Sequence, residues 1–150
     1  MLELQRDPRA VAHNPGDHLA DLSAAQVLVE RWVRHWHEHG IGYSVLSWQG
    51  DDAVLGVCGV KLMTLHDRPV LNLLYRLHPA VRGRGVATGA ATAVVARACR
   101  HHLALPVVAR VRPLNQASAR VAMAAGLGRA PERDTQGEDG LEDLYTINPV

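Results

Sequence analysis

Cysteine is scarce. Cys58 and Cys99 are the only two in 150 residues, and they lie far apart, at no spacing that suits a disulfide framework or a metal knuckle. That excludes a disulfide-stapled scaffold and points to a reducing compartment, the cytoplasm. Long apolar runs are missing as well. Nothing approaches the roughly 18–20 residues of a membrane span, and MLELQRDPRA lacks the apolar stretch of a signal peptide, so no membrane partner is expected. Charge of one sign is not in excess: the formal net charge is +1, with 21% charged residues, which argues against nucleic acid as a partner. With 47% hydrophobic residues the chain is long enough to bury one core, and a single domain over residues 1–150 is expected.

Hydrophobic periodicity changes along the chain. Leu2 to Ala12 reads as a short helix broken by Pro8. Ser23 to His39 reads as a helix with Ser23 as N-cap, carrying Val27, Leu28, Arg31, Trp32 and His35 on the 3.6-residue period, with Gly40 stopping it. GYSVLSW, VLGVCGVKLM and VLNLLYRL then read as an antiparallel meander, separated by turns rich in Gly, Asp and Pro. A long helix to about His102 is a crossover, so VLNLLYRL and PVVARVR should lie parallel. A helix over about Gln116 to Ala125 and a strand near EDLYTI complete an α/β chain, an α+β arrangement around a mixed, mostly antiparallel sheet. Pro131 to Gly140 is the most loop-like stretch, a hairpin rather than a boundary.

HPAVRGRGVATG, from His78, concentrates the chemistry. Glycine at a helix mouth forfeits roughly 0.5–1 kcal/mol, so the loop should hold something. A nucleoside-triphosphate loop would need Lys followed by Ser or Thr after the last glycine, and neither is there. Gly83, Gly85 and Gly89 give G-x-G-x-x-x-G after a strand, but no acidic residue follows about twenty positions on to take a ribose. The remaining reading is an anion site made of the free N–H groups from Gly83 to Thr88 at a helix N-terminus, rimmed by Arg82 and Arg84. A tight turn with solvated arginines is the bland alternative. His35, His37 and His39 suit a helix C-terminus better than a metal centre, and no metal is expected.

Arg82-Gly83-Arg84-Gly85-Val86-Ala87 resembles the Q/R-x-x-G-x-G/A signature of the GNAT superfamily of acyl-CoA N-acyltransferases. NQASARVAMAAGL, Asn115 to Leu127, resembles the segment after the superfamily's fifth strand, particularly in the branch of the Rim-type ribosomal-protein acetyltransferases. The resemblance implies the GNAT fold, acetyl-CoA as cosubstrate and an amine acceptor, either a small molecule or a protein N-terminus. It implies that Leu77, His78, Arg82, Gly83, Arg84, Gly85, Val86, Ala87, Thr88, Asn115 and Ser118 face coenzyme A. Many relatives carry a tyrosine, the proton donor to the thiolate, where this chain has Ala122. Ser118 and Tyr75 are therefore the candidate catalytic residues. Asn72 stands where the Rim-like branch often has a carboxylate, leaving His66, Tyr75 and His78 as candidate bases. Ala122 and Asn72 also motivate an alternative, a coenzyme A-binding sensor or interaction domain weakened in catalysis. Relatives place a strand before the first helix, for which Met1 leaves no room. Either that edge strand is missing or the recorded start is late, and an uncovered GYSVLSW edge would favour a homodimer.

Overall fold

Asp21 opens the first helix. Its Oδ1 accepts the N–H of Ala24 at 2.8 Å, so Asp21 rather than Ser23 is the N-cap of α1, Leu22–His39. A carboxylate caps as well as a hydroxyl and adds charge that suits the helix dipole. Gly40, at φ 65°, ends α1 with its N–H on the Trp36 carbonyl. The computed structural model describes residues 6–9, 12, 15–101 and 104–147. The helix expected over Leu2–Ala12 falls mostly outside them.

Three strands follow as a meander: β1 (Tyr43–Leu46), β2 (Gly56–Leu65) and β3 (Arg68–Leu77). The β2–β3 pairing runs antiparallel from Gly56 opposite Leu77 to Leu65 opposite Arg68. His66 and Asp67 both have positive φ, the requirement of a two-residue hairpin turn that matches strand twist. A 3-10 turn, Pro79–Val81, leads through the glycine loop to α2, Val86–His101. That helix crosses over to β4 (Val107–Val111), which lies parallel to β3 as expected. Next come α3 (Gln116–Ala124), β5 (Gly128–Arg129), a 3-10 turn Pro131–Arg133, β6 (Thr135–Gly137) and β7 (Gly140–Ile147). The stretch expected to be a hairpin holds the 3-10 turn and β6, which turns back onto β7 at Gly137 opposite Gly140. The sheet order is β1-β2-β3-β4-β7-β5, with β6 hydrogen-bonded to β7, and every pair but β3–β4 is antiparallel.

The pleat divides the side chains between two faces. On one face Leu71, Leu73, Val107 and Ala109 pack against Ala91, Val95 and Ala98 of α2 and Ala122 of α3. These small helical residues let α2 lie close to the sheet. The opposite face holds a smaller cluster of Val70, Val108 and Leu144. Leu71 and Leu144 are fully buried, and cutting either to alanine should cost about 2–5 kcal/mol.

Among the described residues no strand pairs with the outer side of β1, but α1 shields that edge. Trp36 Nε1 donates to the Tyr43 carbonyl at 2.8 Å. Where β2 runs beyond β1, His35 Nε2 accepts the Leu62 N–H at 3.2 Å. His35 is thus a cap on sheet backbone. Among the described residues no group of His, Cys, Asp or Glu is arranged to hold a metal ion, and no helix is long and apolar enough to cross a membrane.

Candidate active site

Strands β3 and β4 are in register at only two pairs, Leu71 with Val107 and Asn72 with Val108, and then diverge. From Leu73 to Leu77 the β4-facing backbone of β3 has no strand partner among the described residues, while β2 pairs along its other side as far as Leu77. Unpaired backbone groups of this kind can bind an extended amide-bearing chain. The divergence opens a cleft of about 1010 Å³ that reaches both faces of the sheet.

The glycine loop forms one end of the cleft. Gly83 and Gly85 sit at φ 74° and 76°, the left-handed region where a side chain is strained. A Cβ on either would meet nothing within 4 Å, so backbone conformation, not space, calls for glycine. The Gly85 carbonyl accepts the Gly89 N–H at 2.9 Å. The N–H groups of Val86, Ala87 and Thr88 therefore belong to the first helical turn, where no intrahelical acceptor exists. Arg82, Gly83, Gly85, Val86, Ala87 and Thr88 all line the cleft, as do Leu77, Asn115 and Ser118.

Two expected contacts are not made by side chains. Arg84 does not line the cleft; its guanidinium lies 5.3 Å over the Trp48 ring, an attraction that draws it away from the loop mouth. His78 also turns aside. Its N–H donates to the Leu55 carbonyl at 2.7 Å and its Nδ1 accepts the Ala80 N–H at 3.3 Å, so it caps the 3-10 turn. Arg82, which does line the cleft, is steadied by a 2.8 Å bond from Nη2 to the Arg9 carbonyl.

Tyr75 and Ser118, separated by 43 positions, meet inside the cleft. The Tyr75 hydroxyl donates to the Ser118 carbonyl at 2.7 Å and lies 2.8 Å from Ser118 Oγ. Burial pushes the Tyr75 phenol up to about 12, with the Ser118 bond opposing in part, so the hydroxyl holds its proton at neutral pH. Ala122 is fully buried against α2, which leaves no room there for a tyrosine. Asn115 is the N-cap of α3, its Oδ1 accepting the Ser118 N–H at 3.1 Å, so it fixes the turn that presents Ser118. His66 lies in the β2–β3 turn at the other end of β3, beside a separate 430 Å³ cavity. It is not among the residues that line the cleft.

The opposite face adds to Asn72 four residues the sequence did not reveal, Arg110, Glu142, Arg76 and Asp17. Arg110 Nε donates to Asn72 Oδ1 at 3.4 Å, and Arg110 Nη1 stands 3.2 Å from Glu142 Oε2. Arg76, 9% exposed, pairs with Asp17. The available signal was the alternation of GLEDLYTI, which puts Glu142 on the face of Leu144.

A glycine loop at a helix N-terminus, a splayed parallel pair and a protonated hydroxyl meet in one cleft, an arrangement that suits an acyl-CoA-dependent acyltransferase. Residues 1–128 match the family model described as an acetyltransferase (GNAT) domain. The chain belongs to the GNAT acetyltransferase family and is an acetyl-CoA-dependent acyltransferase. Its fold is shared with solved structures at low identity. An acetyltransferase described as GNAT-family from Bordetella pertussis is 20% identical, with a TM-score of 0.80 over 97% of this chain and 84% of that one. An acetyltransferase from Agrobacterium tumefaciens str. C58 is 23% identical, with a TM-score of 0.76 over 99% and 82%. A ribosomal-protein alpha-N-acetyltransferase, solved with coenzyme A, is 17% identical, with a TM-score of 0.71 over 97% and 85%.

Proposed function

We propose that this chain is a cytoplasmic N-acetyltransferase that moves an acetyl group from acetyl-CoA directly to a primary amine of a small molecule or a protein N-terminus. The observation that carries the reading is the cleft itself, which joins the free N–H groups of α2 to the Tyr75–Ser118 pair along the unpaired backbone of β3. The loop from Gly83 to Thr88 takes the pyrophosphate, with Arg82 adding charge. The backbone from Leu73 to Leu77 aligns the pantetheine arm and polarises the thioester carbonyl. The Asn115 amide nitrogen, unused in its capping bond, serves the same arm. Tyr75, with Ser118, supplies a hydrogen bond to sulfur as the carbon–sulfur bond breaks.

Relatives in fold are described as acting on a ribosomal protein, on spermidine and on an aminoglycoside. Those three chemistries define the acceptor panel: a peptide with a free N-terminus, spermidine and kanamycin. The test begins with thermal shifts against acetyl-CoA, coenzyme A, NAD and ATP, since a ligand that favours the native state raises its apparent stability. Stabilisation by the two thioester-pathway ligands, followed by thiol release with one amine of the panel, is the expected result. Stabilisation by NAD alone would overturn the reading. Tight acetyl-CoA binding with no thiol release from any amine would instead leave a coenzyme A-binding module without catalysis.

A further inference from the structure

On the face of the sheet away from α2, the cleft holds a carboxylate oxygen that makes no hydrogen bond. Glu142 lies on β7, opposite Thr135 of β6, and its side chain is 13% exposed. Among the described residues its Oε2 is buried and makes no hydrogen bond. Arg110 comes within 3.2 Å, an ion-pair approach that lacks hydrogen-bond alignment. A buried acceptor left unmade costs stability, and Glu142 lines the cleft, so the missing donor can come from what the cleft binds.

The surroundings keep that carboxylate in place. Arg110 bridges it to Asn72, and Asn72 bonds the Tyr43 side chain. This gives a polar row over β7, β4, β3 and β1 on the face away from α2. Gly137 of β6 lies so close that a Cβ there would stand 2.6 Å from the Glu142 carboxyl carbon. Tyr75 packs on the other face, with the α2 cluster. The divergence of β3 from β4 joins the two faces in one cleft, with Tyr75 on one side and Glu142 on the other.

We infer that Glu142 is the residue that receives the acceptor's ammonium group and takes its proton, with Arg110 as its positioning residue. This rests on the acetyltransferase reading above. One N–H proton of R–NH3+ passes to Glu142 Oε2, leaving R–NH2 with a free electron pair. That pair forms the carbon–nitrogen bond at the thioester carbonyl, and the carbon–sulfur bond breaks with its electrons going to sulfur. Sulfur takes the Tyr75 proton only as the second nitrogen proton passes through cleft water to the Tyr75 oxygen, and Glu142 gives its own proton to solvent. The products are the acetamide, free thiol and one proton.

The charges around Glu142 fit a base. Burial raises its carboxyl above the ordinary range, Arg110 and Arg112 from the β4 side oppose, and Asp139 and Asp17 add to the rise. Arg112 is itself held by a bond to the Leu141 carbonyl at 2.7 Å.

The experiment has two arms. In the first, Glu142→Gln and Arg110→Met are compared with wild type on the amine of the panel that releases thiol, by kcat/KM against pH, with acetyl-CoA binding measured by calorimetry. Glu142→Gln should bind acetyl-CoA normally, lose about 10²–10⁴-fold in kcat, and move the ascending limb up to the amine's own pKa. Arg110→Met should move that limb up by less, since losing the cation raises Glu142; a merely structural ion pair would lower stability and leave the limb in place. A folded Glu142→Gln protein with its rate and limb unchanged would overturn the inference while leaving the acetyltransferase reading intact. In the second arm the Glu142 carboxyl of wild type is titrated by carbon NMR, assigned by its loss in Glu142→Gln, with no acetyl transfer required. n-Butylammonium should lower its midpoint and tetramethylammonium, which has no N–H, should not. No response to n-butylammonium would overturn the inference even if no amine of the panel is acetylated.

Discussion

Replacing Tyr75 by phenylalanine removes one oxygen and leaves the ring packed on the core. That oxygen makes two contacts, 2.7 Å to the Ser118 carbonyl and 2.8 Å to Ser118 Oγ. A hydrogen bond contributes about 0.5–1.5 kcal/mol net, so Tyr75→Phe should lose roughly 1–3 kcal/mol of stability and remain folded. The kinetic effect should be larger. A phenol at about 12 cannot by itself give a proton to a thiolate whose thiol titrates near roughly 8.5; the gap is worth about 5 kcal/mol. Tyr75 therefore acts by holding a hydrogen bond on sulfur as charge develops, with full transfer coupled to the proton leaving nitrogen. Removing a donor of that kind costs about 10²–10³-fold in kcat.

The assay is steady-state thiol release with an accepted amine, beside acetyl-CoA binding by calorimetry and thermal unfolding. KM for acetyl-CoA should stay near wild type, because the lost contact strengthens in the transition state. The raised phenol also predicts the wild-type pH profile. A group whose folded pKa lies above its ordinary value stays protonated through that value, so kcat should show no descending limb near the usual tyrosine pKa of about 10. Since Tyr75 and Ser118 act through one bond, Tyr75→Phe combined with Ser118→Ala should be little worse than Tyr75→Phe alone. Undiminished kcat in a folded Tyr75→Phe protein, with a large loss in Ser118→Ala, would make serine the donor and refute this argument.

Gly85→Glu places a side chain at φ 76° and a negative charge beside the first-turn N–H groups of α2; calorimetry should show coenzyme A binding abolished while circular dichroism shows the fold retained, and wild-type affinity would remove the loop from the site. Asn115→Ala should lose the α3 cap, about 1 kcal/mol in denaturant unfolding, and raise KM for acetyl-CoA more than it lowers kcat; the reverse split would place Asn115 in the chemistry. His35 accepts the Leu62 N–H and its pKa is lowered by burial, then by His39 and Lys61. The neutral form is the one the fold favours, so its contribution is full above about pH 6.5 and fades as pH falls toward the lower folded value. Urea midpoints should therefore drop less between about pH 7 and pH 5 in His35→Gln, which accepts without titrating, than in wild type; equal drops would assign the acid sensitivity elsewhere.

What could be read from the sequence was what short-range rules decide. Gly40 stopping α1, the glycines before α2 and the alternating runs of β1 to β3 each follow from a few neighbouring residues, and the glycine loop is legible because consecutive residues of one turn form it. Parts of the site that depend on pairing across the fold were not. Arg84 was expected at the loop mouth because sequence places it beside Arg82, yet Trp48, far upstream, sets its direction. Strands β5 and β6, of two and three residues, are too short to show a period. The Glu142–Arg110 pair exists because β7 inserts between β4 and β5, bringing together residues from different strands that no local pattern connects. Tyr75 is intermediate, nameable as a strand tyrosine but given its chemistry by a partner on α3. The same divergence of β3 from β4 that leaves backbone free for the thioester arm opens the sheet to both faces, so an acid on one side and a base on the other can serve one reaction without neutralising each other.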